Sequence, residues 1–232
     1  MFFYDMIIQI DIWDRELQQE NADFSRDTTM GRLDELLREM EGYARTHETP
    51  ILTETARPVY LQTVREAAPH RILELGTAIG YSALLALREA PEAELVTVER
   101  DEALAETARE NLRRAGKKYE SRATILVGAA EKLLPTLSAP FDFVFIDAAK
   151  SRYPDFWLGV QPLLAPRAVV AADNVLFRGL VEGEGSEEWP KHSYRTMVLQ
   201  LREYLRLVRS APDFQTEVFP EGDGMAVSRR NE

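Results

Sequence analysis

The sequence predicts an α/β fold: a doubly wound, mostly parallel sheet with helices on both faces and a C-terminal β-hairpin. Three observations predict it. From Arg71 onward, short β-forming runs alternate with stretches of helical period, which implies successive β–α units and a parallel sheet. Two of the runs, 141–146 and 168–172, are almost wholly apolar and end on Asp147 and Asp173. The last two runs, 214–219 and 224–228, follow each other with no helical stretch between them and read as the hairpin.

The elements follow in order. Residues 1–30 mix apolar and acidic side chains without a firm period, and read as an N-terminal extension, helical or partly disordered, that packs on a partner subunit. A homodimer is therefore expected. Residues 31–232 read as a single domain. Helical spacing over 31–47 puts Leu33, Leu36, Leu37, Met40 and Tyr43 on one side, and Thr49-Pro50 breaks it. A second helix spans 53–67 and is ended by Pro69. Strand 71–76 is followed by helix 81–90, and strand 94–99 by helix 102–115, which Gly116 closes. Strand 123–128 leads into a short helix. Then come the strand ending at Asp147, a helix, the strand ending at Asp173, and a long helix over 191–209. The acidic, glycine-containing stretch 181–188 reads as a surface loop.

Composition narrows the function classes. At 232 residues with 45% hydrophobic and 29% charged side chains, the chain can bury a full core and has an ordinary globular make-up. No apolar stretch is long enough to cross a membrane, and the greasy start carries Asp5 and Asp11 without a basic leader, so a cytoplasmic location is the expectation. Zero cysteines exclude a disulfide framework, a thiolate zinc site and a cysteine nucleophile. A net charge of −11 argues against a surface coated for nucleic acid, but leaves room for a local basic patch.

Asp147, Asp173 and Asn174 offer three oxygen donors at neighbouring strand ends, a donor set suited to a hard divalent cation such as Mg2+. Strands also end in Asp or Asn simply to begin a turn. Lys150 lies just beyond the first aspartate, within reach of whatever a cation there would hold. The turn after the first strand, Glu74-Leu-Gly-Thr-Ala-Ile-Gly-Tyr-Ser82, lets the backbone pass close to a ligand at Gly76 and Gly80. Glu99, at the end of the second strand, is placed to accept hydrogen bonds from two ribose hydroxyls. The chain has no Gly-x-x-x-x-Gly-Lys loop for a triphosphate. S-adenosylmethionine, which has a ribose, no phosphate chain and two cationic centres, suits a pocket containing Glu74, Glu99 and Asp147.

Taken together, Glu74-Leu-Gly-Thr-Ala-Ile-Gly-Tyr-Ser82, Val98-Glu-Arg100, Phe145-Ile-Asp-Ala-Ala-Lys150 and Ala172-Asp-Asn-Val175 resemble the cation-dependent, S-adenosylmethionine-dependent O-methyltransferases, the family of the catechol and caffeoyl-CoA enzymes. The resemblance runs from about Leu33 to the C-terminus and implies a Rossmann-like methyltransferase sheet. Further stretches, Thr49-Pro-Ile-Leu52, Asp173-Asn-Val-Leu-Phe-Arg-Gly-Leu-Val181, Pro212-Asp-Phe-Gln-Thr216 and Gly222-Asp-Gly-Met-Ala-Val-Ser228, look most like the bacterial tRNA 5-hydroxyuridine branch. By that resemblance Leu52, Ser82, Glu99, Ala130 and Asp147 contact the cofactor, Asp147, Asp173 and Asn174 bind the metal, and Lys150 is the catalytic base. Ala149 stands where the catechol enzymes carry tryptophan, and their late glutamate has no clear counterpart near 222–228.

The implied partner is tRNA, or else a small phenolic substrate. A tRNA would need a basic surface, and Lys191, Arg195, Arg202, Arg206 and Arg209 fall on one stripe of the last helix at about 100° per residue. Such a stripe is expected either to track a phosphate backbone or to be a solvated face with no partner.

Overall fold

A computed structural model of the chain describes residues 31–182 and 191–231. The expected extension over 1–30 and most of the acidic stretch 181–188 lie outside them. Helix α1 occupies 31–47, and α2 is Arg57–Ala67. The sheet strands are β1 Arg71–Leu75, β2 Glu94–Glu99, β3 Ala123–Val127, β4 Phe141–Ile146, β5 Leu164–Ala172, β6 Phe214–Phe219 and β7 Met225–Arg230. Between them lie α3 Tyr81–Glu89, α4 Glu102–Ala115, α5 Lys117–Glu120, α6 Ala130–Leu133, α7 Tyr153–Val160 and α8 Lys191–Ser210.

The seven strands run in the order β3-β2-β1-β4-β5-β7-β6. The first five are parallel, while β7 pairs antiparallel with both β5 and β6. The doubly wound sheet and its closing hairpin are thus as expected, with the second hairpin strand inserted against β5. Strand order reverses between β1 and β4, which opens a crevice at their carboxyl ends. In register, Leu75 pairs with Val98 on one side and Ile146 on the other, and Ile146 pairs with Ala172. Gly76, Glu99, Asp147 and Asp173 therefore all emerge along the same edge.

Alternation along β4 shows how the sheet is covered. Phe143 and Phe145 face a core with Tyr60, Leu84 and α1, whereas Val144 and Ile146 face a second core with Tyr153, Trp157 and Tyr204. Helix α4 begins on Asp101, whose carboxylate accepts from the Ala103 and Leu104 N–H groups at 2.9 and 3.1 Å, and ends at Gly116 with φ +111°.

Two boundaries differ from expectation by more than two residues. Helix α2 starts at Arg57 rather than 53, because Thr53 Oγ1 accepts the Ala56 N–H at 3.2 Å and holds a turn first. Strand β5 begins at Leu164 instead of 168. Pro166 can give no N–H to the ladder, and the register with β4 shifts there to accommodate it.

Candidate active site

Glu99, Asp147 and Asp173 sit where they do because each ends or follows an apolar strand of the parallel sheet, and Glu74 lies one residue before the end of β1. The turn after β1 makes the nearest approach to a neighbour. Gly76 has φ +101°, and a Cβ there would lie 2.0 Å from the Asp147 carbonyl oxygen. Only glycine lets these two backbones pass.

Between the strand ends lies a cavity of about 590 Å³. Leu52, Gly76, Ser82, Glu99, Ala130, Asp147 and Lys150 line it, so these sequence-selected residues share one pocket. Glu99 is 7% exposed; Oε2 accepts the Ala78 N–H at 2.9 Å, and Oε1 accepts the Asp101 N–H at 2.9 Å. Its carboxylate thereby pins the glycine turn and the start of α4 at the same point.

Glu74 does not line this pocket as expected. It is fully buried behind the wall, where the Ser82 and Thr97 hydroxyls each donate to one of its oxygens at 2.6 Å. Thr97 Oγ1 in turn lies 2.5 Å from Thr77 Oγ1. The carboxyl faces the α3 side because Glu74 shares a sheet face with Ile72, and there it meets polar groups instead of the cavity. Burial pushes its pKa up from 4.5 to about 7, against the two hydroxyl bonds, which pull it down. Glu74 touches the cavity only through Ser82 and Thr77.

The second cluster straddles β4 and β5. Lys150 Nζ lies 3.5 Å from Asp147 Oδ1. Asp173 is 1% exposed, and its Oδ1 accepts the Asn174 N–H at 2.8 Å. Asn174 takes φ +57°, a left-handed conformation that asparagine tolerates. Burial first and the Asp147 charge second raise the Asp173 carboxyl to about 7, while Lys150 offsets part of this. Among the described residues, no three His, Cys, Asp or Glu side chains assemble as a metal cluster. The third donor of this set is the amide of Asn174. Two mutually repelling carboxylates, one of them followed directly in the chain by an asparagine, make a donor set that fits a hard divalent cation, whose charge would relieve the repulsion.

Sequence reasoning missed Tyr153. Its hydroxyl lies 2.9 Å from the Asp173 carbonyl oxygen and 3.2 Å from that of Ile146. Burial, with Asp147 and Asp173 adding to it, holds the phenol pKa well above its usual value. The only signal was an aromatic residue three positions after Lys150.

Residues 175–178 form a strap beyond Asn174. The N–H groups of Val175 and Leu176 donate to the Gly224 and Asp223 carbonyls at 2.9 and 2.8 Å, and the Arg178 N–H donates to Asp223 Oδ1 at 3.2 Å. Arg178 itself is exposed. Of the expected basic stripe of α8, Arg195, Arg206 and Arg209 are exposed and Arg202 is drawn inward. Arg202 is half-buried and donates to the Val181 and Leu180 carbonyls at 2.8 and 3.2 Å. Arg206 pairs with Glu203 at 2.6 Å and Arg209 with Glu182 at 3.2 Å. Helical period alone could not show that the Leu180 and Val181 carbonyls would claim Arg202.

Among the described residues, no helix is long and apolar enough to cross a membrane. A family model described as O-methyltransferase matches residues 26–231. A catechol O-methyltransferase from Niastella koreensis is 39% identical over 122 residues, which are 50% of this chain and 54% of that protein. A caffeoyl-CoA O-methyltransferase from Populus kitakamiensis is 29% identical over 170 residues, 69% of each chain. The chain spans about half the length of the first curated relatives it matches. Among solved structures, the O-methyltransferase TomG from Streptomyces achromogenes, in complex with SAM, superposes with a TM-score of 0.73 at 28% identity, covering 85% of this chain and 90% of TomG.

Proposed function

Since this chain belongs to the O-methyltransferase family, we propose that it transfers the methyl group of S-adenosylmethionine to an acceptor hydroxyl that has a second oxygen beside it, and that the acceptor is 5-hydroxyuridine in tRNA. One observation carries the reading: Asp147 belongs both to the cavity lined by Gly76, Ser82, Glu99 and Ala130 and to the oxygen cluster at the ends of β4 and β5. A cofactor in that cavity and a cation on that cluster would meet at one carboxylate.

Glu99 would hold the ribose, Ser82 the amino-acid end of the cofactor, and the glycine turn would keep water from the space between them. Asp147, Asp173 and Asn174 would hold Mg2+ or another divalent cation, which when bound supplies Lewis acidity that favours ionisation of the acceptor hydroxyl. Lys150, whose Nζ lies 3.5 Å from Asp147 Oδ1, would serve as the general base. Nζ then takes the hydroxyl proton. The acceptor oxygen forms its new bond to the methyl carbon as the carbon–sulfur bond breaks, its electron pair returning to sulfur to leave S-adenosylhomocysteine. Holding the two reactants in line supplies much of the rate.

A 5-hydroxyuracil presents its O5 hydroxyl beside the O4 carbonyl, so it suits this site. Support for the tRNA acceptor comes from the stretches 173–181 and 222–228, which carry the resemblance to the tRNA branch and hydrogen-bond to each other around Asp223. The exposed Arg178 lies on that strap, where a phosphate could meet it. The catechol and caffeoyl-CoA O-methyltransferases among the relatives favour a second reading, a small phenol with two neighbouring hydroxyls.

Mass spectrometry of tRNA nucleosides from a strain lacking the protein separates the two. Loss of 5-methoxyuridine with gain of 5-hydroxyuridine is expected. Unchanged tRNA together with catechol methylation by the purified protein would decide for the phenol.

A further inference from the structure

Asp147 and Asp173 are each the first residue past a strand, and the last ladder pair beneath them is Ile146 with Ala172. The Asp173 N–H donates to the Ile146 carbonyl at 3.1 Å. Above that bond the backbones diverge. One side chain spans the divergence: Tyr153, whose hydroxyl lies 3.2 Å from the Ile146 carbonyl and 2.9 Å from the Asp173 carbonyl. The first carbonyl belongs to the peptide leading into Asp147. The second belongs to the peptide joining Asp173 to Asn174. A single hydroxyl proton is thus shared between the peptides that aim all three oxygen donors.

The phenol is itself held still. Its ring is fully buried, edge-on to Tyr204 at 5.5 Å and tilted against Phe156 at 6.4 Å. Tyr153 opens α7, with Pro154 fixing the backbone of the first turn, and the 3-10 turn Lys150–Arg152 leads directly into it. Tyr153 therefore ties the segment that delivers Lys150 to the ends of both β4 and β5.

We infer that Tyr153 is a positioning residue whose hydroxyl sets the gap between the Asp147 and Asp173 carboxylates and their register with Lys150. The inference rests on the reading of those carboxylates as a cation site and is indifferent to the acceptor. Groups behind metal ligands commonly act this way, orienting donors they do not replace.

The test is Mn2+ affinity, followed by electron paramagnetic resonance on the protein without cofactor or acceptor. Tyr153→Phe keeps the ring and deletes the hydroxyl, and should weaken Mn2+ binding by about tenfold or more. Tyr60→Phe is the comparison. It deletes another fully buried hydroxyl, one that donates to the Ser82 carbonyl at 3.2 Å and to neither peptide at the β4–β5 gap. It should lower the melting temperature without weakening Mn2+ binding. Should Tyr153→Phe alone fold poorly, it is made together with Tyr204→Phe. The Tyr204 hydroxyl is buried without a hydrogen-bond partner among the described residues, so its removal is expected to restore stability. Wild-type Mn2+ affinity in the Tyr153 variant would overturn the positioning role alone. No Mn2+ binding by the wild type would instead sink the cation reading, and the positioning role with it.

Discussion

Gly76 and Asp147 are in backbone contact: a Cβ placed on Gly76 would come within 2.0 Å of the Asp147 carbonyl oxygen and 2.7 Å of its carbonyl carbon. The turn proposed to hold the cofactor and the first proposed cation ligand are thus packed against each other. Closeness of this kind ties the two halves of the site mechanically, since neither loop can shift outward or inward without the other. The Gly76 N–H also donates to the Val98 carbonyl at 2.9 Å, one residue before Glu99, so the Glu99 carboxylate joins the same frame.

Gly76→Ala should therefore be severe. The left-handed φ of +101° and the overlap with backbone act together, and neither is relieved by a rotamer change. A loss of about 3 kcal/mol or more is expected, roughly 10 °C in Tm for a chain of this size. Gly179→Ala is the matched comparison, with φ +72° and nothing within 4 Å of the added Cβ. It should cost about 1 kcal/mol. Equal losses in thermal melts would mean that conformation, not contact, decides both positions.

Removing the cation should separate the two ligand roles of the aspartates. Asp147→Asn and Asp173→Asn are each expected to lower turnover by about 100-fold or more, as is EDTA, reversibly, on the wild type. Asp147 lines the cofactor cavity and Asp173 does not, so S-adenosylhomocysteine affinity should fall more in the Asp147 variant. Calorimetry with that ligand reads the difference. Full turnover in excess EDTA would end the metal mechanism.

Lys150 acts on the rate if it is the base. Lys150→Ala should reduce kcat by about 10²- to 10⁴-fold while S-adenosylhomocysteine affinity stays nearly constant, because a base contributes in the transition state. Lys150→Arg keeps the pairing with Asp147 but cannot give up a proton near neutrality, so it should not rescue the rate. A kcat equal to wild type in either variant would reduce Lys150 to a loop-holding cation.

Much of this site could be read in the chain itself. Asp147, Asp173 and Asn174 each follow a run of apolar β-formers, and in a parallel sheet strand ends on one edge meet whatever lies between them in sequence. Glu99 was legible for the same reason. What could not be read depends on direction across the sheet. Glu74 lies one residue before the end of its strand, shares a face with Ile72 and turns inward to Ser82 and Thr97, whose nearness is a tertiary fact. Arg202 was placed correctly on its helix, but the carbonyls of Leu180 and Val181 that engage it come from a separate loop. Tyr153 gave only an aromatic at helical spacing, indistinguishable from core.

The buried Glu74 yields the last prediction. Its carboxyl is raised from 4.5 to about 7, chiefly by burial, so between those values the folded chain binds a proton that the unfolded chain releases. Stability must then fall as pH rises through that window, with the full penalty, on the order of 3 kcal/mol, present above about pH 7. Glu74→Gln removes the titration but keeps the shape. Its amide must face one of the two hydroxyls now donating to the carboxylate, and that rearrangement costs the same at every pH. The diagnostic quantity is therefore the Tm difference between variant and wild type, both without ligand, compared at pH 5 and pH 8. Asp173, also raised to about 7, is present in both proteins and largely cancels in that difference. The variant should gain on the wild type by several degrees between the two pH values. A difference that stays flat would mean that Glu74 is ionised throughout, held so by the Ser82 and Thr97 hydroxyls against the effect of burial.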